Sequence, residues 1–502
     1  MILRVVGLLC AVAVSACVVG PDFKQPDAPK TGQYTAAKLS LEQADSSSDQ
    51  KVVAGSEVPL DWWKMFGSQS LNRLIERGLA NSLTVTAARA RLREVQENLN
   101  SQVGAVLYPN VDAKGSVSRQ KISGTAFGGN SRIYTLHNAS VSASYGIDLF
   151  GASRRYLETL ESQVDYEQYQ LQAARMTLAA NIVTAVVKEA SLRAQIRATE
   201  QIIADNGAQL GMIEQQYALG AVAQSAVLSQ RTALAQARTS LPDLQKQLQQ
   251  NRHLLNVLVG DFPSSELAEF TLDSLHLPHE LPLSLPSMLA RQRPDILASE
   301  ALLHQASANV GLATANMYPS ITLSGSYGSE SRTIAGMFKP GSTVWDVGAG
   351  LVQPLFHAGE LRAKKRGAEA AYEQAQANYR EVVLNSFRDV ADTLMALEMD
   401  GQSLKLQQDA EDAAHASLEL VQEQYKAGAA SYLELLNASQ QYQQTSNSRT
   451  QAQAARFADS AALIHALGGG WWNNDVHAST EKTAASGESV PVAQHQNRGV
   501  NP

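Results

Sequence analysis

Few of the 502 residues have a type and spacing that could do chemistry, and Cys17 is the first of them. It follows Val14-Ser15-Ala16, small residues that close an apolar run, Val5–Val14, with one positive charge, Arg4, ahead of it. That order reads as a secretory signal over residues 1–16 ending in the cleavage site of a bacterial lipoprotein. The Cys17 thiol would then take a diacylglycerol and become the new N-terminus. Each buried CH₂ of an acyl chain adds hydrophobic free energy, so several chains would anchor the protein firmly. Val14 stands where Leu is commoner, and Val18 stands where Asp would favour retention at the inner membrane. Cys10 lies inside the apolar run, so the body of the chain holds no cysteine. A disulfide framework and a thiolate zinc site are both excluded there.

The other chemistry-bearing residue types form no recognisable set. The ten histidines show no tight metal-ligand spacing, and His276 and His279 sit in a proline-rich stretch and read as surface groups. We find no GxSxG nucleophile elbow, P-loop or dinucleotide fingerprint. The reading is therefore a non-enzyme with no metal and no cofactor beyond a covalent lipid on Cys17. The formal charge of −7 disfavours nucleic acid as a partner, since binders of its phosphates need a basic face.

Among the elements the strongest signal is an internal duplication. Tyr108-Pro109 recurs as Tyr318-Pro319, and Leu149-Phe150 as Leu355-Phe356. Tyr166-Glu167-Gln168 recurs as Tyr372-Glu373-Gln374, and Gln216-Tyr217 with Gly220 as Gln424-Tyr425 with Gly428. Val259-Gly260 lines up with Leu467-Gly468. The order is kept and the offsets stay between 206 and 210, far longer than a solenoid repeat. Each copy follows one plan. A helix (Ser82 to Leu107, capped by Asn81 or Ser82; 294–317 in the second copy) ends at a Tyr-Pro step, where proline removes a donor and disfavours the helical region before it. A Gly/Ser/Thr-rich stretch with strand alternation follows, at about 110–149 and 320–356. Then come a long helix (152–219; 358–427), a break at Gly220 or Gly428, and a final helix (to 259; 430–467). The two shorter helices together nearly equal the long one, so they would stack end to end beside it over about 100 Å at about 1.5 Å per residue. Pro242 is a candidate kink.

The strands alternate. Val111 to Ser118 has one small or apolar face and one polar face, Ile321, Leu323 and Tyr327 alternate with Thr322, Ser324 and Ser326, and Trp345, Val347, Ala349 and Leu351 alternate with Asp346, Gly348 and Gly350. Strands of about ten residues cross a bilayer when tilted. Four are too few to close a barrel, and open edges in lipid are untenable, so the chain would share a barrel with further copies. Lys121–Tyr134 and Glu330–Gly341 would be the external loops. The remaining segments read as an extended N-terminal stretch (17–60), a first repeat (61–260), a linker (261–293), a second repeat (294–470) and a polar, disordered tail (471–502).

These features together resemble the TolC-like outer-membrane efflux factors, and within them the OprM/NodT type of lipoprotein that serves resistance-nodulation-division pumps. The resemblance rests on Cys17-Val18-Val19-Gly20-Pro21-Asp22-Phe23, on Trp62-Trp63 with Phe66, Leu71-Asn72 and Leu74-Ile75, and on Arg293-Pro294-Asp295. Tyr425-Lys426-Ala427-Gly428 followed by Tyr432-Leu433-Glu434-Leu435-Leu436-Asn437-Ala438 is similar to the family's hairpin tip. The resemblance implies a mainly α fold with a transmembrane β part: a homotrimer with a 12-stranded outer-membrane β-barrel continued by a periplasmic coiled-coil barrel. It also implies a passive duct, in the outer membrane of a Gram-negative bacterium, for drugs or other toxic small molecules. Its partners would be a periplasmic adaptor and an inner-membrane pump.

On this reading Leu219, Gly220, Ala221, Ala427, Gly428 and Ala429 are adaptor-docking tips, although glycine there also serves plain helix termination. Glu434 and Asn437 share a helix face beyond the tip, and threefold symmetry would turn Glu434 into a ring of carboxylates that favours cations. Tyr425 belongs to the same periplasmic gate, whereas Ala226 and Ala430 stand where relatives place charged partners. Two alternatives remain: a duct for type I protein secretion, and a coiled-coil envelope lipoprotein. The second leaves the paired amphipathic strands unexplained.

Overall fold

The computed structural model describes residues 18–29, 31–36, 50–123 and 130–473, so the signal peptide, Cys17 and the tail beyond residue 473 lie outside the described residues. The elements in chain order are β1 (Lys51–Ala54), α1 (Gln69–Asn81), α2 (Leu83–Leu107), β2 (Asn110–Ile122), β3 (Arg132–Ile147), α3 (Ala152–Ala218) and α4 (Gln224–Leu258). There follow β4 (Glu280–Leu283), α5 (Pro286–Gln292), α6 (Pro294–Ala315), β5 (Ser320–Ser331), β6 (Thr343–Val352), α7 (Glu360–Lys426) and α8 (Tyr432–Ala466). The duplication is visible element by element: α3 and α7 each have 67 residues, and α4 and α8 each have 35. Both long helices are rich in Ala, Gln, Leu and Glu, residues that lose little side-chain freedom in a helix. α4 runs unbroken past Pro242.

The chain divides into two compact units, each drawn from three stretches of sequence. The first comprises Met1–Asp27, Ala87–Leu171 and Asp295–Val383 and contains a four-stranded antiparallel sheet in the order β2-β3-β5-β6. Each repeat supplies one hairpin, and β3 joins β5 across the repeats, from His137↔Ser331 to Ile147↔Ile321. Every pairing matches odd residues to odd and even to even, as in Asn110↔Ser144 and Ser320↔Val352. One face therefore carries Val111, Val141, Tyr327, Trp345, Val347 and Leu351, and the other Asp112, Ser142, Ser324, Ser326 and Asp346. A slip of one residue at any pairing would mix the faces. The apolar face is exposed in the single chain, and β2 and β6 have no outer neighbour among the described residues.

The strands number 13, 16, 12 and 10 residues, longer in three cases than the ten-residue spans expected. The ladder continues past the apolar band into polar sequence, because neighbouring backbone groups keep satisfying one another there. Lys121, Ile122, Arg132 to Tyr134, Glu330 and Ser331 thus lie in strands rather than in the expected loops. Residues 124–129 are outside the described residues, and the second loop holds a 3₁₀ turn at Ile334–Gly336. β6 stops at Val352 rather than near Phe356, since Pro354 has no N–H to donate.

The second unit comprises Ala28–Thr86, Gln172–Pro294 and Leu384–Pro502. Its core gathers Trp62, Phe66, Leu71 and Ile75 with Ile182, Leu255, Phe270, Leu281, Leu289, Leu394 and Leu397, all essentially removed from solvent. Each such side chain contributes about 1.5–3 kcal/mol. The N-terminal stretch, expected to be merely extended, forms β1 and pairs in parallel with β4 of the linker, from Lys51↔Glu280 to Ala54↔Leu283. The start of the expected tail is also structured: Trp471 Nε1 donates to the Gln292 carbonyl at 2.8 Å, and Asn473 Nδ2 to that of Val58 at 2.7 Å. Arg293, from the Arg-Pro-Asp motif, is buried and donates to the Ala466 carbonyl at 3.0 Å and to Asp389 Oδ2 at 3.2 Å. Wholly buried Glu189 lies 3.0 Å from Arg193 and 2.6 Å from Arg252, which pins α4 to α3.

Candidate functional site

The two hairpin tips, α3–α4 and α7–α8, both belong to the second unit and end by the same device. Gly220 has φ +73° and Gly428 φ +75°, the left-handed conformation that side chains disfavour. In the first tip the N–H of Gly220 donates to the Tyr217 carbonyl (2.9 Å) and that of Ala221 to the Gln216 carbonyl (2.8 Å). In the second tip Gly428 donates to Tyr425 (3.0 Å) and Ala429 to Gln424 (2.8 Å). This pair of bonds is a Schellman motif, which satisfies carbonyls that a helix end leaves orphaned. Leu219, Gly220, Ala221, Ala427, Gly428 and Ala429 are all exposed, and a Cβ on either glycine would meet open space. The tips are therefore constrained by backbone conformation and free on their outer side.

Beyond the second tip, Ser431 caps α8 in a capping box. Its hydroxyl accepts the Glu434 N–H at 3.3 Å, and the Glu434 carboxylate accepts the Ser431 N–H at 2.6 Å. Accepting that backbone hydrogen bond, and then the Ser431 side-chain contribution, lowers the Glu434 pKa below its ordinary value. The equivalent cap of α4 is Ala223, which offers no side-chain bond. Glu434 and Asn437 are both exposed. Glu434 thus has a structural role at the helix start, carried by the Ser431-x-x-Glu434 spacing, and its charge remains open to solvent.

Tyr425 sits at the centre of a network that links the repeats. Its hydroxyl donates to Gln216 Oε1 at 3.0 Å, from the last turns of α7 to those of α3. The Tyr432 ring stands edge-on to it, with centroids 6.4 Å apart, and the Tyr432 hydroxyl donates to Gln230 Oε1 on α4. Gln230 is fully buried, and its Nε2 donates to the Asn206 carbonyl at 2.9 Å and to Gln209 Oε1 at 3.3 Å. Burial, reinforced by Tyr425, pushes the Tyr432 phenol up to about 12, so the network is uncharged at neutral pH. Tyr217 is half exposed and Ala226 and Ala430 carry no charge; the bonds from Tyr425 and Tyr432 that join the two hairpins are neutral, while within the first hairpin Arg231 pairs with Glu214 at 2.7 Å. Gln230, Asn206 and Gln209 escaped the sequence reading, and Tyr432 entered it only as part of the tip motif. Only the recurrence of Gln216-Tyr217 as Gln424-Tyr425 hinted at paired positions.

No helix among the described residues is long and apolar enough to cross a membrane, and no group of His, Cys, Asp and Glu there could hold a metal ion. The amphipathic sheet with free edges and the paired long hairpins define a channel-forming class of protein. The chain belongs to the outer membrane efflux protein family, whose model matches residues 74–261 and 285–469. It is 31% identical over 448 residues (87% of this chain, 94% of that protein) to the pyoverdine export outer membrane protein OpmQ of Pseudomonas aeruginosa PAO1. It is 25% identical to the probable outer membrane lipoprotein SilC of Salmonella typhimurium, covering 93% of this chain and 99% of that one. The solved outer-membrane channel OprN superposes with a TM-score of 0.82 at 26% identity, over 91% of this chain and 100% of OprN. The protein is the outer-membrane component of an efflux system, and its family is one of channels and not of enzymes.

Proposed function

We propose that three copies of this chain assemble into one 12-stranded barrel, which passively conducts drugs or other toxic small molecules out of the cell. The observation that carries this reading is the sheet: four strands, an apolar face open to its surroundings, and the unpaired edges of β2 and β6. Such edges are tolerated in lipid only when another strand covers them, and β6 of one copy beside β2 of the next leaves none. In that barrel the apolar odd-residue face turns to lipid and the Ser-, Thr- and Asp-bearing even face lines the passage. The tips would receive a periplasmic adaptor, an inner-membrane pump of the resistance-nodulation-division class would supply the energy, and Cys17 would carry the lipid. The relative named as a lipoprotein supports that last assignment.

Native mass measurement of the purified protein should give a trimer, and planar-bilayer recording should give discrete conductance steps. A monomer, or a trimer that never conducts even with its tip residues loosened, would overturn the duct.

A further inference from the structure

The residues just after Cys17 pack against the sheet-bearing unit in a defined way. The Val19 N–H donates to the Phe150 carbonyl at 3.2 Å, just beyond the end of β3. Arg155, on the first turn of α3, has a side chain only 5% exposed. Its Nη2 donates to Asp22 Oδ1 at 2.6 Å, its Nη1 to Glu158 Oε2 at 2.7 Å and its Nε to the Val19 carbonyl at 3.5 Å. Asp22 is 88% exposed, so the pair joins a buried guanidinium to an acid at the surface. The second repeat supplies the opposite wall from α6. Phe23 stacks on His304 with ring centroids 4.3 Å apart at 17°. His304 Nε2 lies 2.8 Å from Glu158 Oε1, and Gln25 Nε2 donates to Glu300 Oε1 at 2.7 Å. Gly20, with φ +97°, lies so close to Gly311 that a Cβ would overlap the Gly311 backbone.

The segment thus touches α3 of the first repeat and α6 of the second at once. It does so beside the end of the β3–β5 seam, where Ile147 pairs with Ile321 and Phe150 stacks on Tyr318 at 4.9 Å. We propose that Val18–Phe23 is an internal ligand of a receptor site built around Arg155, and that its seating clamps the two repeats together at this end of the seam. The β3–β5 pairing joins residues 174 to 194 apart in sequence, so closing it carries a chain-entropy cost that local contacts do not offset. A strap bonded to both sides lowers that cost where register matters most. The buried guanidinium drives the seating, because without Asp22 and the Val19 carbonyl it keeps only Glu158 among its side-chain and strap acceptors. If Cys17 carries a lipid, as proposed above, its tether would begin one residue from a point fixed beside the sheet. The clamp itself does not depend on the lipid.

Lys24, exposed between Phe23 and the Gln25 that bonds Glu300, provides the readout. In purified full-length trimer, Asp22→Asn removes one charge-assisted hydrogen bond and should raise trypsin cleavage after Lys24 about tenfold. Gly20→Val should do the same by steric exclusion with no change of charge. Amide hydrogen exchange of β3 and β5 should rise in both variants, which a role confined to the N-terminus would not produce. Unchanged cleavage, or faster cleavage with unchanged strand exchange, overturns the clamp. If Gly20→Val does not assemble, Asp22→Asn decides alone. The mass of Cys17 is read in the same sample, so an unmodified cysteine would remove the lipid reading and leave the clamp standing.

Discussion

Glu434 serves two demands that pull on one carboxylate. It closes the capping box with Ser431, and it offers a negative charge one turn inside the tip. Bonding to the charged form holds its pKa below the ordinary 4.5, so both contributions are fully present above that value and fade only as pH falls through the lowered pKa. If Glu434 forms a threefold ring, Glu434→Gln should reduce cation selectivity, read as a shift in reversal potential under a salt gradient. In such a ring the three carboxylates repel one another, so selectivity should fade as pH drops and should do so above the pH at which a lone capped Glu434 would protonate. Unchanged selectivity in Glu434→Gln would place the selective charge elsewhere. The tyrosines act differently. If these bonds latch the tips, Tyr425→Phe and Tyr432→Phe each remove one hydroxyl from the network, a loss of about 1 kcal/mol, or roughly fivefold in the balance between latched and unlatched tips. Single-channel recording of the double variant should show a higher resting open fraction. That increase should not depend on salt, because no ion pair is broken.

At the scale of elements, the parity of the strand register assigns every sheet residue to one of two faces. Val347→Lys places an ammonium on the apolar face and should destabilise the folded protein by about 2–4 kcal/mol if it lies near the bilayer midplane. Ser324→Lys, on the opposite face, should leave stability nearly unchanged and alter conductance. Denaturant titration of both variants in detergent micelles compares them directly, and equal losses would refute the assignment of faces. The tips test a second element-level assignment. Gly428→Val forces a β-branched residue into the left-handed region, where only the open outer side of the tip can absorb the change. We expect assembled trimers that no longer cross-link to a periplasmic adaptor in cells. Normal cross-linking would remove the tips from the docking surface.

At the scale of the whole molecule, much was legible from sequence because it rests on local periodicity. The recurrence of Tyr-Pro, Leu-Phe and Gln-Tyr at a near-constant offset announced two copies, and it is borne out by two 67-residue helices and two 35-residue helices. Alternation at period two marked the strands, and proline and glycine marked most of the ends. Where the reading failed, a long-range contact was the reason. β1 is a strand only because β4, more than 220 residues away, lies beside it, and Trp471 is tied back to α5 by the Gln292 carbonyl that receives its N–H. The same limit governs the site. Glycine at both tips and an acid three residues after a serine are written in the chain. That Tyr425 meets Gln216, that Tyr432 meets Gln230, and that Arg155 meets Asp22 depend on how helices from different repeats are turned toward each other. Sequence by itself determined the class of protein, its duplication and the two faces of its strands, since each is set by neighbours along the chain. Tertiary structure alone decided which polar groups join the hairpins near their tips and meet the N-terminal segment, because hydrogen bonds between residues some 130 to 210 apart are fixed by packing and not by spacing.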